Sequence, residues 1–166
     1  MLFTLLFYLL ITSLLHGQTT SPIIPETIKI ILDKEYPNWK FSEVSKDIYD
    51  FFEANRIRFH PNFISGDFNG NGERDYAVQI TYKKDRIVIA FLQRGKNFER
   101  HVLETHFDYH TDIYLWLLRK GEKGYDYETE KEFHYAHDSI GVMFFEKAGG
   151  SHVFEKGKFR RIVSSD

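Results

Sequence analysis

The 166-residue chain carries 22 basic and 24 acidic side chains and is 42% hydrophobic and 28% charged, values of a packed globular domain rather than a disordered one. A formal net charge of -2 offers no field that would gather nucleic-acid phosphates or anionic lipid, so a nucleic-acid partner is not expected. The absence of cysteine excludes disulfides, thiolate metal sites, thiol catalysis and lipid attachment through sulfur.

Met1 to Leu15 reads MLFTLLFYLLITSLL, and no Asp, Glu, Lys or Arg precedes Glu26. The run fits the apolar region of a signal peptide and is shorter than the roughly 18–20 apolar residues that span a bilayer. Residues 1–17 are therefore expected to be a signal peptide cut after Gly17. The mature protein would be secreted or periplasmic, with no membrane span left once the signal is removed. Residues 18–24 read as a flexible lead, and 25–166 as one domain.

Pro25 suits a helix start, and Ile24, Ile28, Ile31, Leu32 and Tyr36 recur at helical spacing until Pro37 stops the pattern. Trp39–Val44 is a short connection, extended in part. Ser45 is placed to cap a second helix with apolar residues Ile48, Phe51 and Phe52, closing near Asn55. Beyond Asp75 the chain changes to strand character. Tyr76, Val78, Ile80 and Tyr82 alternate with Ala77, Gln79 and Thr81 as in a half-buried strand. Ile87–Leu92 is apolar throughout, like a central strand. Ile113–Leu118 is a second central-strand candidate, although a short buried helix would give the same run. Phe98–Leu103, Phe133–Ala136, Gly141–Phe145, Ser151–Phe154 and Phe159–Val163 complete the strands. Arg94–Asn97 and Lys156-Gly157 are their turns, and Glu122–Glu132 reads as a solvated acidic loop whose Tyr125 and Tyr127 could stack on a sugar or a protein. The expected class is α+β, with N-terminal helices packed on an antiparallel β-meander sheet.

The informative stretch is Ile64-Ser-Gly-Asp-Phe-Asn-Gly-Asn-Gly-Glu-Arg-Asp-Tyr-Ala-Val78. Oxygen-bearing side chains stand at Asp67, Asn69, Asn71, Glu73 and Asp75, every second residue. Calcium takes six to eight oxygens at roughly 2.3–2.6 Å, and a chain can wrap it only by curling tightly. Gly70 and Gly72 supply the positive φ that such a curl demands. The twelfth position of a helix–loop–helix calcium loop would need an acid, and Val78 stands there, so an EF-hand is excluded. The alternative is an ion-free turn in which the Asn and Asp side chains bond their own backbone.

GDFNGNGERDYAV resembles the calcium loop of FG-GAP or VCBS-type repeats, D-x-N-G-D-G-x-x-D followed by a short strand. The resemblance implies Asp67, Asn69, Asn71 and Asp75 as side-chain ligands, with Glu73 giving its carbonyl. It covers about thirteen residues. No second copy is found, so the family's propeller fold is not carried over, and Asn71 stands where an aspartate is usual, with Arg74 beside it. The whole chain is also similar, more loosely, to small secreted bacterial proteins bearing one such loop. With Asp67 and Asp75 the only sure charged ligands, affinity is expected at the extracellular end, roughly 10⁻⁴–10⁻³ M.

His106, Asp108, His110 and Asp112 alternate along HFDYHTD, so a strand would put all four on one face, where two His and a carboxylate could bind zinc or iron. A polar loop between strands accounts for the same pattern. No nucleophile elbow, HExxH helix or P-loop occurs. The sequence therefore reads as a non-catalytic binding module for an unknown protein or glycan, braced by calcium. A metal-dependent hydrolase using His106, His110 and a nearby Asp is the alternative.

Overall fold

In the computed structural model, residues 22–147 and 149–164 are described. The expected signal peptide at 1–17, and residues 18–21 of the lead, lie outside them. Pro22 to Pro25 carry no regular secondary structure. No helix among the described residues is long and apolar enough to cross a membrane.

The helices fall where Pro25 and the apolar spacing put them. α1 spans Glu26–Glu35 and α2 spans Lys46–Ala54. Pro25 stands just outside α1, its carbonyl accepting from Lys29 N–H at 3.0 Å. Ser45 is at the N-cap of α2 in an extended conformation, but its side chain makes no cap bond. Its N–H instead donates to Thr111 O at 2.9 Å, tying the helix start to a distant loop.

The expected α+β class is corrected by the sheets. Strand makes up 49% and helix 13%, so the protein is mostly β with two short helices. The first sheet contains β1 (Lys40–Phe41), β2 (Phe63–Gly66), β3 (Asp75–Tyr82), β4 (Asp85–Arg94) and β5 (Asn97–Phe107). Its order is β1-β3-β4-β5, with β2 also on β3. The second contains β6 (Ile113–Leu118), β9 (Ser139–Phe144), β10 (Gly149–Glu155) and β11 (Lys158–Ser164), ordered β11-β10-β9-β6. Between β6 and β9 a separate hairpin forms from β7 (Lys123–Asp126) and β8 (Lys131–His134). All the pairings are antiparallel.

The physical reason for two sheets is that the strands are apolar on both faces. Ala77, Val88, Ala90 and Leu92 of the first sheet share one core with Ile113, Leu115, Leu117, Ile140 and Val142 of the second. The two sheets thus pack face to face as a sandwich. The opposite face of the first sheet, with Val78, Ile80, Ile87, Ile89 and Phe91, buries Ile28 and Leu32 of α1. Tyr114, Trp116 and Met143, on the outer face of the second, meet Ile48, Phe51 and Phe52 of α2. β3 is accordingly buried along both faces, not half-buried. β6 is an edge strand rather than a central one, and its outer side is met by Pro61 O, which accepts from Leu115 N–H at 2.7 Å. The acidic loop expected over 122–132 supplies β7, a turn and the start of β8, with the Lys123–Glu132 ion pair across it.

The turns follow their residues. Glu155 pairs with Lys158 across Lys156 (φ 51) and Gly157 (φ 81), a two-residue connection with both central residues at positive φ.

Candidate functional site

The segment 67–74 links β2 to β3, and its side chains fold back onto its own main chain. Asp67 Oδ1 accepts from Gly70 N–H at 2.8 Å and Oδ2 from Gly72 N–H at 3.0 Å. Asn69 Oδ1 takes Asn71 N–H at 3.0 Å, and Asn71 Oδ1 takes Glu73 N–H at 2.8 Å, two successive Asx turns. Asp75, fully buried at the start of β3, accepts three main-chain N–H groups. Those of Phe68 (2.8 Å) and Asn69 (3.3 Å) reach Oδ2, and that of Gln93 (2.7 Å) reaches Oδ1. Burial pushes the Asp75 carboxyl up, against the pull of these three donors. Phe68 plugs the loop into the sandwich core.

Neighbouring segments hold this loop in place. Asp138, ahead of β9, accepts from Asp67 N–H at 3.3 Å and from Lys120 N–H at 3.0 Å, and lies 3.5 Å from Arg119. Asn71 Nδ2 donates to Gln93 O at 3.3 Å, and the Glu73 carboxylate accepts from Gly95 N–H at 3.4 Å. Glu73 therefore turns its carboxylate toward the β4–β5 turn. Asn69 Nδ2 is buried without a hydrogen-bond partner.

The two glycines differ in what surrounds them. Gly70 has φ +75, and a Cβ there would lie 2.2 Å from the His137 ring, whereas at Gly72 (φ +81) nothing lies within 4 Å. Gly72→Ala should cost only the left-handed backbone penalty, about 1–2 kcal/mol. Gly70→Ala should cost distinctly more, because the imidazole must also move. Urea midpoints of the two variants check this, and equal losses would contradict the packing of His137 on the loop.

By donor type, the oxygens of this loop are those a hard cation takes. Each Asp67 oxygen and each Asn side-chain oxygen accepts one N–H, so a second lone pair stays free on each. The set has no nitrogen or sulfur donor, as calcium prefers and zinc or iron does not. Among the described residues no three His, Cys, Asp or Glu side chains converge as a metal group. An ion held by this loop would thus draw on the Asn amides and the Glu73 carbonyl as well as on Asp67 and Asp75.

The chain matches no family model, no curated protein and no solved structure. The likeness to FG-GAP loops therefore rests on the residues from Gly66 to Val78 alone.

His106 and His110 are not brought to a common partner. His106 Nε2 lies 2.7 Å from Glu104 Oε2, inside the edge of the sandwich. His110, in the turn after β5, has Nδ1 3.9 Å from Asp112 and its ring 4.3 Å from Tyr109. Asp108 accepts the Thr81 hydroxyl at 2.6 Å.

Two features were beyond sequence reasoning. Glu104 Oε1 on β5 takes His152 Nε2 of β10 at 2.7 Å and Arg161 Nε of β11 at 2.9 Å, so one carboxylate joins both sheets. Burial alone would raise this carboxyl. The hydrogen bonds from His106 and His152, the His152 charge and Arg161 outweigh it and hold the group well below the usual carboxylate range. The second feature is a cleft of about 1010 Å³ beside α2, lined by Tyr49, Phe52, Arg58, Phe59, His60 and Arg119 among others. Burial lowers the His60 imidazole to about 4, so it is neutral at pH 7, with Nδ1 accepting Asn62 N–H at 3.1 Å. Arg119 and Ser65 also border a recess of about 460 Å³ that reaches Asp67 and Gly72, so cleft and loop adjoin.

Proposed function

We propose that this is an exported, non-catalytic binding module in which the segment 67–75 is a calcium brace beside the binding cleft. The observation that supports the reading is the curl of the loop around Asp67, whose two oxygens take the N–H groups of Gly70 and Gly72. Asp67, Asn69, Asn71 and Asp75 would offer side-chain oxygens and Glu73 its carbonyl. The ion supplies charge neutralisation and rigidity and takes no part in bond making. The adjoining cleft mixes aromatic side chains with arginines, a lining suited to a protein or glycan partner.

At roughly 10⁻⁴–10⁻³ M affinity, calcium tenfold above its dissociation constant stabilises the fold by about 1.4 kcal/mol. For a domain of this size that raises Tm by about 3–6 °C. Titration of chelator-treated protein in a calorimeter, with melting measured at each calcium concentration, tests it. A saturable heat and a rise in Tm that vanish in Asp67→Ala support the brace. No heat and an unchanged Tm up to 10 mM would remove calcium and leave the loop as a hydrogen-bonded turn.

A further inference from the structure

Arg86 on β4 is fully buried, which is rare for a guanidinium without a partner on every face. Its Nη2 donates to Glu43 O at 2.5 Å, while Nε and Nη1 are buried and unpartnered. On the same face of the first sheet, Gln79 is also fully buried. Its Nε2 donates to Asn62 Oδ1 at 2.8 Å and Ile113 O at 3.1 Å, and its Oε1 is left unpartnered. The register Thr81↔Arg86 and Gln79↔Val88 puts the two residues diagonally across β3 and β4 on one face, and Thr81 between them donates to Asp108.

The surroundings select that molecule. The acids acting on Arg86 are Asp108, Asp112 and Glu43, and among the described residues none of them takes a hydrogen bond from its Nε or Nη1. A buried cation with two unmet donors is costly. A small anion would satisfy those donors, but it would sit among three acids and could give nothing to Gln79 Oε1. Water can accept from Arg86 and donate to Gln79 or Asp108 at once. We infer that Arg86, Gln79 and Asp108 enclose an internal water site, through which the buried guanidinium is coupled to the Asp108 carboxylate and the β5–β6 turn is fastened to the sandwich.

A crystal structure of the intact protein at a resolution that orders solvent is the direct test, with one crystal soaked in bromide. The expected result is an ordered water within 3.2 Å of Arg86 Nε or Nη1 and of a protein acceptor, with no anomalous bromide peak there. A bromide peak at the guanidinium, or Nε and Nη1 bonded directly to protein atoms, would overturn the inference. In solution, Asp108→Asn should lower the urea midpoint without changing the slope, and an unchanged midpoint would oppose the coupling to Asp108.

Discussion

Replacing Asp75 by alanine should lower the unfolding free energy by about 4 kcal/mol, the largest loss expected from any single change in the loop. The carboxylate takes the N–H groups of Phe68, Asn69 and Gln93 at 2.8, 3.3 and 2.7 Å. Removing it leaves three donors without partners, each worth about 1–3 kcal/mol when buried. The Phe68 bond is buried and the other two are partly so, which sets the sum toward the lower half of that range. Asp75→Asn keeps one carbonyl oxygen and should lose about half as much. Urea unfolding gives both numbers, and a loss below about 1 kcal/mol in Asp75→Ala would show that the loop does not depend on this carboxylate. The effect is expected with or without calcium, because it arises from main-chain hydrogen bonds.

The second large effect is expected at Glu104. Its side chain is 8% exposed and bonds His106 on its own strand and His152 and Arg161 on the facing sheet. Glu104→Gln leaves a buried charge network without its anion, and losing one partner of such a network costs about 3–5 kcal/mol. The sign with pH follows from the lowered carboxyl. A folded-state value below the unfolded one, about 4.3, contributes stability that is present above pH 4.3 and is lost as pH falls toward the folded value. Wild type should therefore lose stability below about pH 4.3 more steeply than Glu104→Gln. Parallel acid limbs in denaturation at stepped pH would count against the clamp.

Local features were legible where a residue type leaves the backbone little choice. Pro25 and Pro37 bracket α1, the Lys156-Gly157 turn closes β10 onto β11, and Gly70 and Gly72 adopt the positive φ read from them. The oxygens of Asp67, Asn69 and Asn71 bond main-chain N–H groups of their own loop, the turn chemistry the residue types also allow, while Glu73 sends its carboxylate to Gly95. The two-sheet class is hidden in the sequence because Gln79 and Thr81 look like the solvent face of β3. Both are buried between the sheets, where Gln79 Nε2 reaches Asn62 and Ile113 O and the Thr81 hydroxyl reaches Ser42 and Asp108. A polar side chain that finds buried partners carries no mark in its own neighbourhood. The same holds for Glu104, whose partners His152 and Arg161 lie 48 and 57 residues away. His106 beside His110 suggested a metal pair, yet the strand ends at Phe107, and His110 lies in the turn beyond it.

Amide NMR of chelator-treated protein titrated with calcium tests most directly whether the loop from Asp67 to Asp75 is a cup for a hard cation. Saturable shifts confined to the amides of 66–76, their neighbours Gln93 and Gly95, and the His137–Asp138 segment are the predicted result. Spectra unchanged at 10 mM calcium, or shifts centred elsewhere on the molecule, would contradict it.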